Sequence, residues 1–219
     1  MDESIQKMKR KLNSIYHKLY SCFGAQHWWP ADSIFEIMVG AVLTQNTNWS
    51  NVEKAIENLK KYKLLDPQRL YNAANSKIAR LIRPAGYYNI KTQRLKELLR
   101  FYINNYGANA RKISARGLTD LRRELLSVKG VGPETADSIL LYAFNKPIFV
   151  IDSYTKRVFS RHKLLKEDAE YDEAQRLFMD NLTVDVKLFN EYHALIVAVA
   201  KTYCSKSHPK CAVCPLDFC

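Results

Sequence analysis

Four cysteines crowd the end of this 219-residue chain as Cys204-x6-Cys211-x2-Cys214-x4-Cys219. Packing alone gives no reason for thiols at that spacing, whereas a metal centre does. Thiolates in such a loop hold either an iron–sulfur cluster or a structural zinc. Zinc sites usually come as two short Cys-x2-Cys knuckles, and only Cys211 and Cys214 form one, so the wide first gap suits the cluster better. His208, between Lys206 and Lys210, reads as a solvated loop residue. Cys22 stands alone on a predicted helix and reads as a small buried hydrophobe. No apolar run is long enough to span a membrane, and the basic N-terminus lacks the apolar core of a signal peptide. The expected location is therefore cytoplasmic, where cysteines stay reduced and disulfides do not form.

Asp152 ends the apolar extended run Pro147–Ile151 and precedes a predicted helix, an ordinary N-cap position. That position also favours the ionised carboxylate, through N–H donors and the helix dipole. Such a carboxylate can stabilise a cationic sugar or activate a water. Upstream, Leu126-Ser127-Val128-Lys129-Gly130-Val131-Gly132-Pro133-Glu134-Thr135-Ala136 reads as helix, tight turn, helix. Pro133 fits the first turn of a helix, and the glycines let the turn approach a partner closely. Free N–H groups at that helix start make an anion site. All three tryptophans, in Trp28-Trp29-Pro30 and at Trp49, lie near one apolar helix. Packing accounts for at least one of them. On a basic surface, loop tryptophans also stack on bases, worth about 1–3 kcal/mol each. The charge points the same way: 34 Lys and Arg against 22 Asp and Glu favour a polyanionic partner, most simply nucleic acid.

The elements that must carry these residues are all helical. Apolar spacing predicts an amphipathic helix over 4–23, with Ile5, Met8, Leu12, Ile15 and Leu19 on one face. A second helix runs from Ile34 to about Thr44, capped by Asp32 or Ser33 with Glu36 in reach for a capping box, and is apolar on nearly every side. Further helices are expected over 50–62, 76–82 and 90–104, the last a basic amphipathic one with Lys91, Arg94, Lys96 and Arg100. A polar connector leads from Gly107 to a helix over 118–127. After the turn come the buried run 139–144 and helices over 153–161, 170–181 and 187–203. No strand pattern recurs, so the fold class is all-α. The chain has crossing points near Gly24–Pro30 and Lys146–Asp152. These divide it into a lobe over 31–146 that ends in the turn and a second lobe made of 1–30 plus 147–219, with the cysteine loop over 204–219.

Taken together, the turn Val128–Ala136, the downstream Val150-Ile151-Asp152 and the terminal cysteines resemble the helix-hairpin-helix DNA glycosylases of the endonuclease III type. The resemblance spans roughly residues 30–219, in the same order of parts. It implies two α-helical lobes with a DNA-binding cleft between them, and double-stranded DNA with a damaged base as partner for a monomeric enzyme. The hairpin, with Lys129, Gly130, Val131, Gly132 and Thr135, would grip the DNA backbone. Asp152 matches the catalytic aspartate, and Cys204, Cys211, Cys214 and Cys219 match the ligands of a [4Fe-4S] cluster. Gln45, in Leu43-Thr44-Gln45-Asn46-Thr47, matches the wedge residue that fills the gap left by a flipped base.

Two departures shape the expected activity. Bifunctional members carry lysine where this chain has Glu134, so the resemblance implies Glu134 as the second catalytic position beside Asp152, and a glutamate there forms no Schiff base with the opened sugar. The chain is thus expected to be monofunctional, with weak or absent AP-lyase activity; Lys129 is the other amine of the turn. The last cysteine gap, four residues, is one shorter than is usual in the family. Within the superfamily, Trp28-Trp29-Pro30, Leu43–Thr47, Arg83-Pro84-Ala85-Gly86-Tyr87-Tyr88-Asn89 and Glu134 are similar to the 3-methyladenine DNA glycosylase III subgroup, whose known enzymes lack the iron–sulfur loop. That similarity implies an aromatic base pocket at Trp28, Trp29, Pro30 and Trp49, and alkylated purines, 3-methyladenine first, as substrate. The alternatives are a glycosylase for oxidised pyrimidines or mismatched thymine or uracil, a DNA-binding module without catalysis, and a zinc-stabilised interaction protein.

Overall fold

The computed structural model describes residues 3–216, so Cys219, the expected fourth thiol ligand, lies outside the described residues. Among those residues every regular element is helical. No helix among them is long and apolar enough to cross a membrane. The chain folds as two compact units: one is Ala31–Lys146, and the other joins the segment ending at Pro30 to the segment starting at Pro147.

Helix α1 (Glu3–Phe23) opens the chain. The Ala31–Lys146 unit then holds α2 (Ile34–Leu43), α3 (Trp49–Lys61), α4 (Pro67–Asn72), α5 (Asn75–Leu81), a 3-10 turn (Arg83–Ala85), α6 (Tyr88–Tyr106), α7 (Ala110–Ser114), α8 (Leu118–Leu126) and α9 (Pro133–Ser138). A π-helical segment, Ile139–Ala143, continues α9. The chain ends in the other unit with α10 (Ser153–Arg161), α11 (Tyr171–Met179) and α12 (Val186–Thr202).

In the Ala31–Lys146 unit, α2 is the buried centre, with Phe35, Met38, Val39 and Ala41 to Leu43 in the core. Ser33 caps it by accepting from Glu36 N at 3.1 Å, and the Glu36 carboxylate accepts from Asp32 N at 3.1 Å. The first bond satisfies an N–H that the helix start leaves without a partner, and the second ties the residue before the cap back to the first turn. The hairpin helices are joined by a forked ion pair. Arg122 Nε and Nη2 reach the two oxygens of the fully buried Asp137 at 2.8 and 3.2 Å. A two-point contact fixes orientation as well as distance.

Helix α6 is the basic helix expected over 90–104, and two of its lysines turn inward. Lys91 is 1% exposed and donates to Leu43 O at 2.8 Å and Ala85 O at 2.7 Å. Lys96 donates to Tyr71 O and, at 2.7 Å, to Ala73 O. The physical reason is that α2, α4 and the 3-10 turn end with carbonyls that have no helical partner, and long amines from α6 satisfy them. The expected connector after Gly107 contains α7, whose first N–H groups bond the Asn109 side chain at 2.9 and 3.2 Å. Five residues are too few to show a helical period.

In the other unit, Leu12, Ile15 and Leu19 of α1 are buried, while Ile5 on the same stripe is 48% exposed. The Tyr192 hydroxyl of α12 donates to Leu12 O at 2.9 Å. Phe149 stacks on Phe178 of α11 with ring centres 3.9 Å apart. That stack anchors the extended run Ile148–Ile151, all of it buried, and so sets where Asp152 emerges.

Candidate active site and nucleic-acid interface

Asp152 is the N-cap of α10. Its Oδ1 accepts from Thr155 N at 2.7 Å and from Thr155 Oγ1 at 2.8 Å. Its Oδ2 lies 3.5 Å from His193 Nε2, an ion pair when the imidazole is protonated, and the two side chains are 13% and 7% exposed. Burial pushes the Asp152 carboxyl up; the His193 ring and the Thr155 donors outweigh it and leave the group below its ordinary value. The unit thus holds a nearly sealed carboxylate in its charged form at neutral pH. A charge so held can meet a developing cation or orient a water. His193 is a residue that reading the sequence misses. It stands in the apolar run of α12, where a lone histidine reads as core, and only the fold brings it to Asp152.

The hairpin turn alternates inward and outward. Val128 and Val131 are buried, and Lys129, Gly130, Gly132 and Glu134 are exposed. Val131 N donates to Val128 O at 3.0 Å and closes the turn, while Gly130 takes φ +90. Val131 therefore closes the turn: its side chain is buried and its N–H is engaged by Val128 O. Thr135 is buried, and its hydroxyl accepts from Gln45 Nε2 at 2.8 Å; the same Nε2 donates to Gly130 O at 3.0 Å. Gln45 and the turn, far apart in sequence, are brought together in this unit.

Trp28 and Trp29 pack edge to face, with ring centres 5.6 Å apart, and both are partly buried. Pro30 beside them is exposed. Trp49 opens α3 in the Ala31–Lys146 unit, and its indole Nε1 donates to Glu53 Oε1 at 2.7 Å, one turn along the same helix. Its polar edge is thus engaged by its own helix.

Cys204 follows α12 and is buried, Cys214 is partly buried and Cys211 is exposed. Cys22, expected in the core, is exposed on the last turn of α1. Among the described residues no three His, Cys, Asp or Glu side chains converge as a metal-binding group. The surroundings of the loop nevertheless suit thiolate ligands. Arg161 Nη1 donates to Cys204 Sγ at 3.3 Å and to Ser205 O at 2.7 Å, and Arg157 Nε donates to Cys204 O at 2.8 Å. Both arginines stand on α10, the helix that Asp152 caps.

Residues 39–183 match the family of HhH-GPD superfamily base excision DNA repair proteins. A Methanocaldococcus jannaschii protein, provisionally named a DNA repair glycosylase, is 48% identical over 94% of this chain and 94% of its own length. The endonuclease III of Thermotoga maritima is 28% identical over 82% of this chain and 79% of its own. Among solved structures, the H. pylori 3-methyladenine DNA glycosylase bound to 1,N6-ethenoadenine superposes with a TM-score of 0.74, at 29% identity, covering 90% of this chain and 97% of that one. The chain belongs to the HhH-GPD superfamily and is a DNA glycosylase of base excision repair.

Proposed function

We propose that this glycosylase is monofunctional and releases alkylated purines, 3-methyladenine first, from double-stranded DNA as a monomer. The observation that carries the reading is Asp152, a carboxylate kept ionised in near-complete burial. An N3- or N7-methylated purine already carries positive charge and leaves readily. The protein then has two tasks: to hold the base out of the stack and to stabilise the cationic sugar. Extrusion costs a few kcal/mol, least for a damaged base. Asp152 faces the charge that develops on the sugar and helps a water attack its C1′ carbon. Lys129, Gly130, Val131, Gly132 and Thr135 form the turn that holds the backbone phosphates, with Val131 closing it through its N–H to Val128 O. Gln45 fills the gap in the duplex. Trp28, Trp29 and Pro30, with Trp49, supply aromatic faces that attract a cationic ring by stacking and cation–π forces. The likeness to the H. pylori enzyme supports this substrate class. Glu134 stands where bifunctional relatives have lysine, and its carboxylate cannot form the imine that lyase chemistry needs.

Cys204, Cys211 and Cys214, together with Cys219, would hold a [4Fe-4S] cluster, which when bound cross-links the C-terminal loop. The arginine donors around Cys204 support that assignment.

A second reading, excision of oxidised pyrimidines or of mismatched thymine or uracil, is favoured by the likeness to endonuclease III. One experiment separates the readings. Free base released from methylated duplex is measured against release from duplexes carrying an oxidised pyrimidine or a mismatched thymine. Faster release of 3-methyladenine, with no borohydride-trapped complex, is expected. Preference for the oxidised or mismatched base moves the chain to the second reading, and no release from any duplex leaves only a binding role.

A further inference from the structure

The Gln45 amide is held from three sides within the Ala31–Lys146 unit. Its Nε2 donates to Gly130 O and Thr135 Oγ1, and its Oε1 accepts from Arg94 Nη1 at 2.6 Å. Arg94 comes from the second turn of α6 and touches the hairpin too. Its stem lies so close over Gly130 that a Cβ there would fall 2.4 Å from Arg94 Cγ and 3.0 Å from Cδ. Gly130 thus has two reasons to be glycine: the positive φ and the arginine laid across it. One side chain thereby touches both the turn proposed to hold phosphate and the residue proposed to enter the duplex.

The bond from Arg94 to Gln45 is a cationic donor on a neutral acceptor, stronger than an amide–amide contact. Among the described residues no carboxylate pairs with Arg94. The charged group that senses it is Lys91, another cation, whose amine holds Leu43 O at the end of α2. Lys91 fixes the backbone before Gln45, and Arg94 fixes the side chain itself.

We propose that Arg94 is the positioning residue for Gln45: it sets the Gln45 amide against the hairpin turn, so that capture of a phosphate by the turn and filling of the gap in the duplex occur in one register. The proposal rests on the reading of Gln45 as the gap-filling residue. Arg94 acts through Gln45 and needs no contact of its own with the base.

The test is a double-mutant cycle read on binding, not on catalysis. The probe is a duplex carrying a tetrahydrofuran abasic analogue, whose missing base leaves a gap to fill, and the reference is the same duplex intact. The quantity is the ratio of the two affinities. Gln45→Ala is expected to lower that ratio about tenfold, Arg94→Met to lower it by a similar factor, and the double variant to fall no further. Arg94→Met keeps the stem over Gly130, so its melting temperature should stay near that of the parent. If it does not fold, Arg94→Leu, which keeps an apolar stem and has no donor for Gln45, takes its place in the same cycle. Independent, multiplying losses overturn the proposal, since Arg94 would then act on DNA by itself. An equal fall in affinity for both duplexes overturns it as well, marking Arg94 as a plain phosphate contact. A Gln45→Ala protein that keeps the full ratio removes the gap-filling reading, and the proposal falls with it.

Discussion

Asp152 and Lys91, one in each unit, are both nearly sealed from water, and their surroundings act on them in opposite ways. Around Asp152 stand donors: the Thr155 N–H and hydroxyl, and the His193 ring. They overcome burial and keep the carboxyl below its ordinary value. Around Lys91 stand two neutral carbonyls and a second cation. Burial first, and then the Arg94 charge, push its amine down to about 8. Burial of a charge is costly in both places. At Asp152 the fold compensates the charge, as the proposed role of an ionised carboxylate requires. At Lys91 the fold uses the amine as a strut between helix ends, a task that asks for N–H donors rather than for charge.

The largest test of that contrast is Asp152→Asn. The amide oxygen can still accept from Thr155, so the cap on α10 survives and the fold should hold, but the charge is gone. Excision should drop by about 1000-fold or more, the scale on which removal of a well-placed stabilising group acts. DNA affinity should change little. Single-turnover base release and equilibrium binding check the two parts separately. Excision retained in the variant would mean that the compensated charge has no chemical role.

Next comes Lys91→Met, read as stability against pH. The folded value of about 8 lies below the ordinary 10.5, so between those two values the unfolded chain binds the proton and the folded chain does not. Stability of the parent should therefore rise with pH through that window, by about 3 kcal/mol across its whole width. The variant lacks this gain. Urea unfolding of both proteins at about pH 7 and about pH 10 gives the difference. Parallel curves would show that Lys91 is not held against its charge.

His193→Gln should have a smaller effect, confined to low pH. Asp152 is depressed, so the anion proposed to act is present above the folded value and is lost as pH falls through that value. Without the ring, burial has less to oppose it and the acid limb moves up. Excision should fall several-fold at about pH 5 and hardly at all at about pH 8. A loss equal at both values would assign His193 to packing alone.

The helices and the Asp152 cap were legible because each rests on local chemistry. Asp152 ends an apolar extended run, and the first residue of α10 follows it directly. Ser33 and Glu36 spell the cap of α2 within four residues. The partners were not legible, because they depend on which face of a helix the fold turns inward. Lys91, Arg94 and Lys96 read from sequence as basic residues of an amphipathic helix, yet all three reach the ends of other helices or the loops that follow them. His193 meets Asp152 across a long stretch of chain, with no periodicity to announce it. Cys22 reads as core by residue type and is exposed, since apolar character does not say which side of α1 faces the core.

Glu134 supplies the smallest expected effect and the sharpest inversion. It is an exposed carboxylate in the first turn of α9, where an acid interacts with the helix dipole for about 0.3–1 kcal/mol. Glu134→Gln removes that interaction and nothing on which the proposed hydrolysis depends, so base release should change by less than about fivefold. Borohydride trapping should stay absent, because glutamine adds no amine. The comparison with Asp152 makes the experiment informative. Both groups are carboxylates at helix starts, but only Asp152 is buried among donors that hold its charge in a fixed place. If catalysis depends on a compensated, immobile charge, the two variants should differ by orders of magnitude. If Glu134→Gln falls as far as Asp152→Asn, exposure has not kept Glu134 out of the reaction, and burial with donors is no guide to which carboxylate does the chemistry.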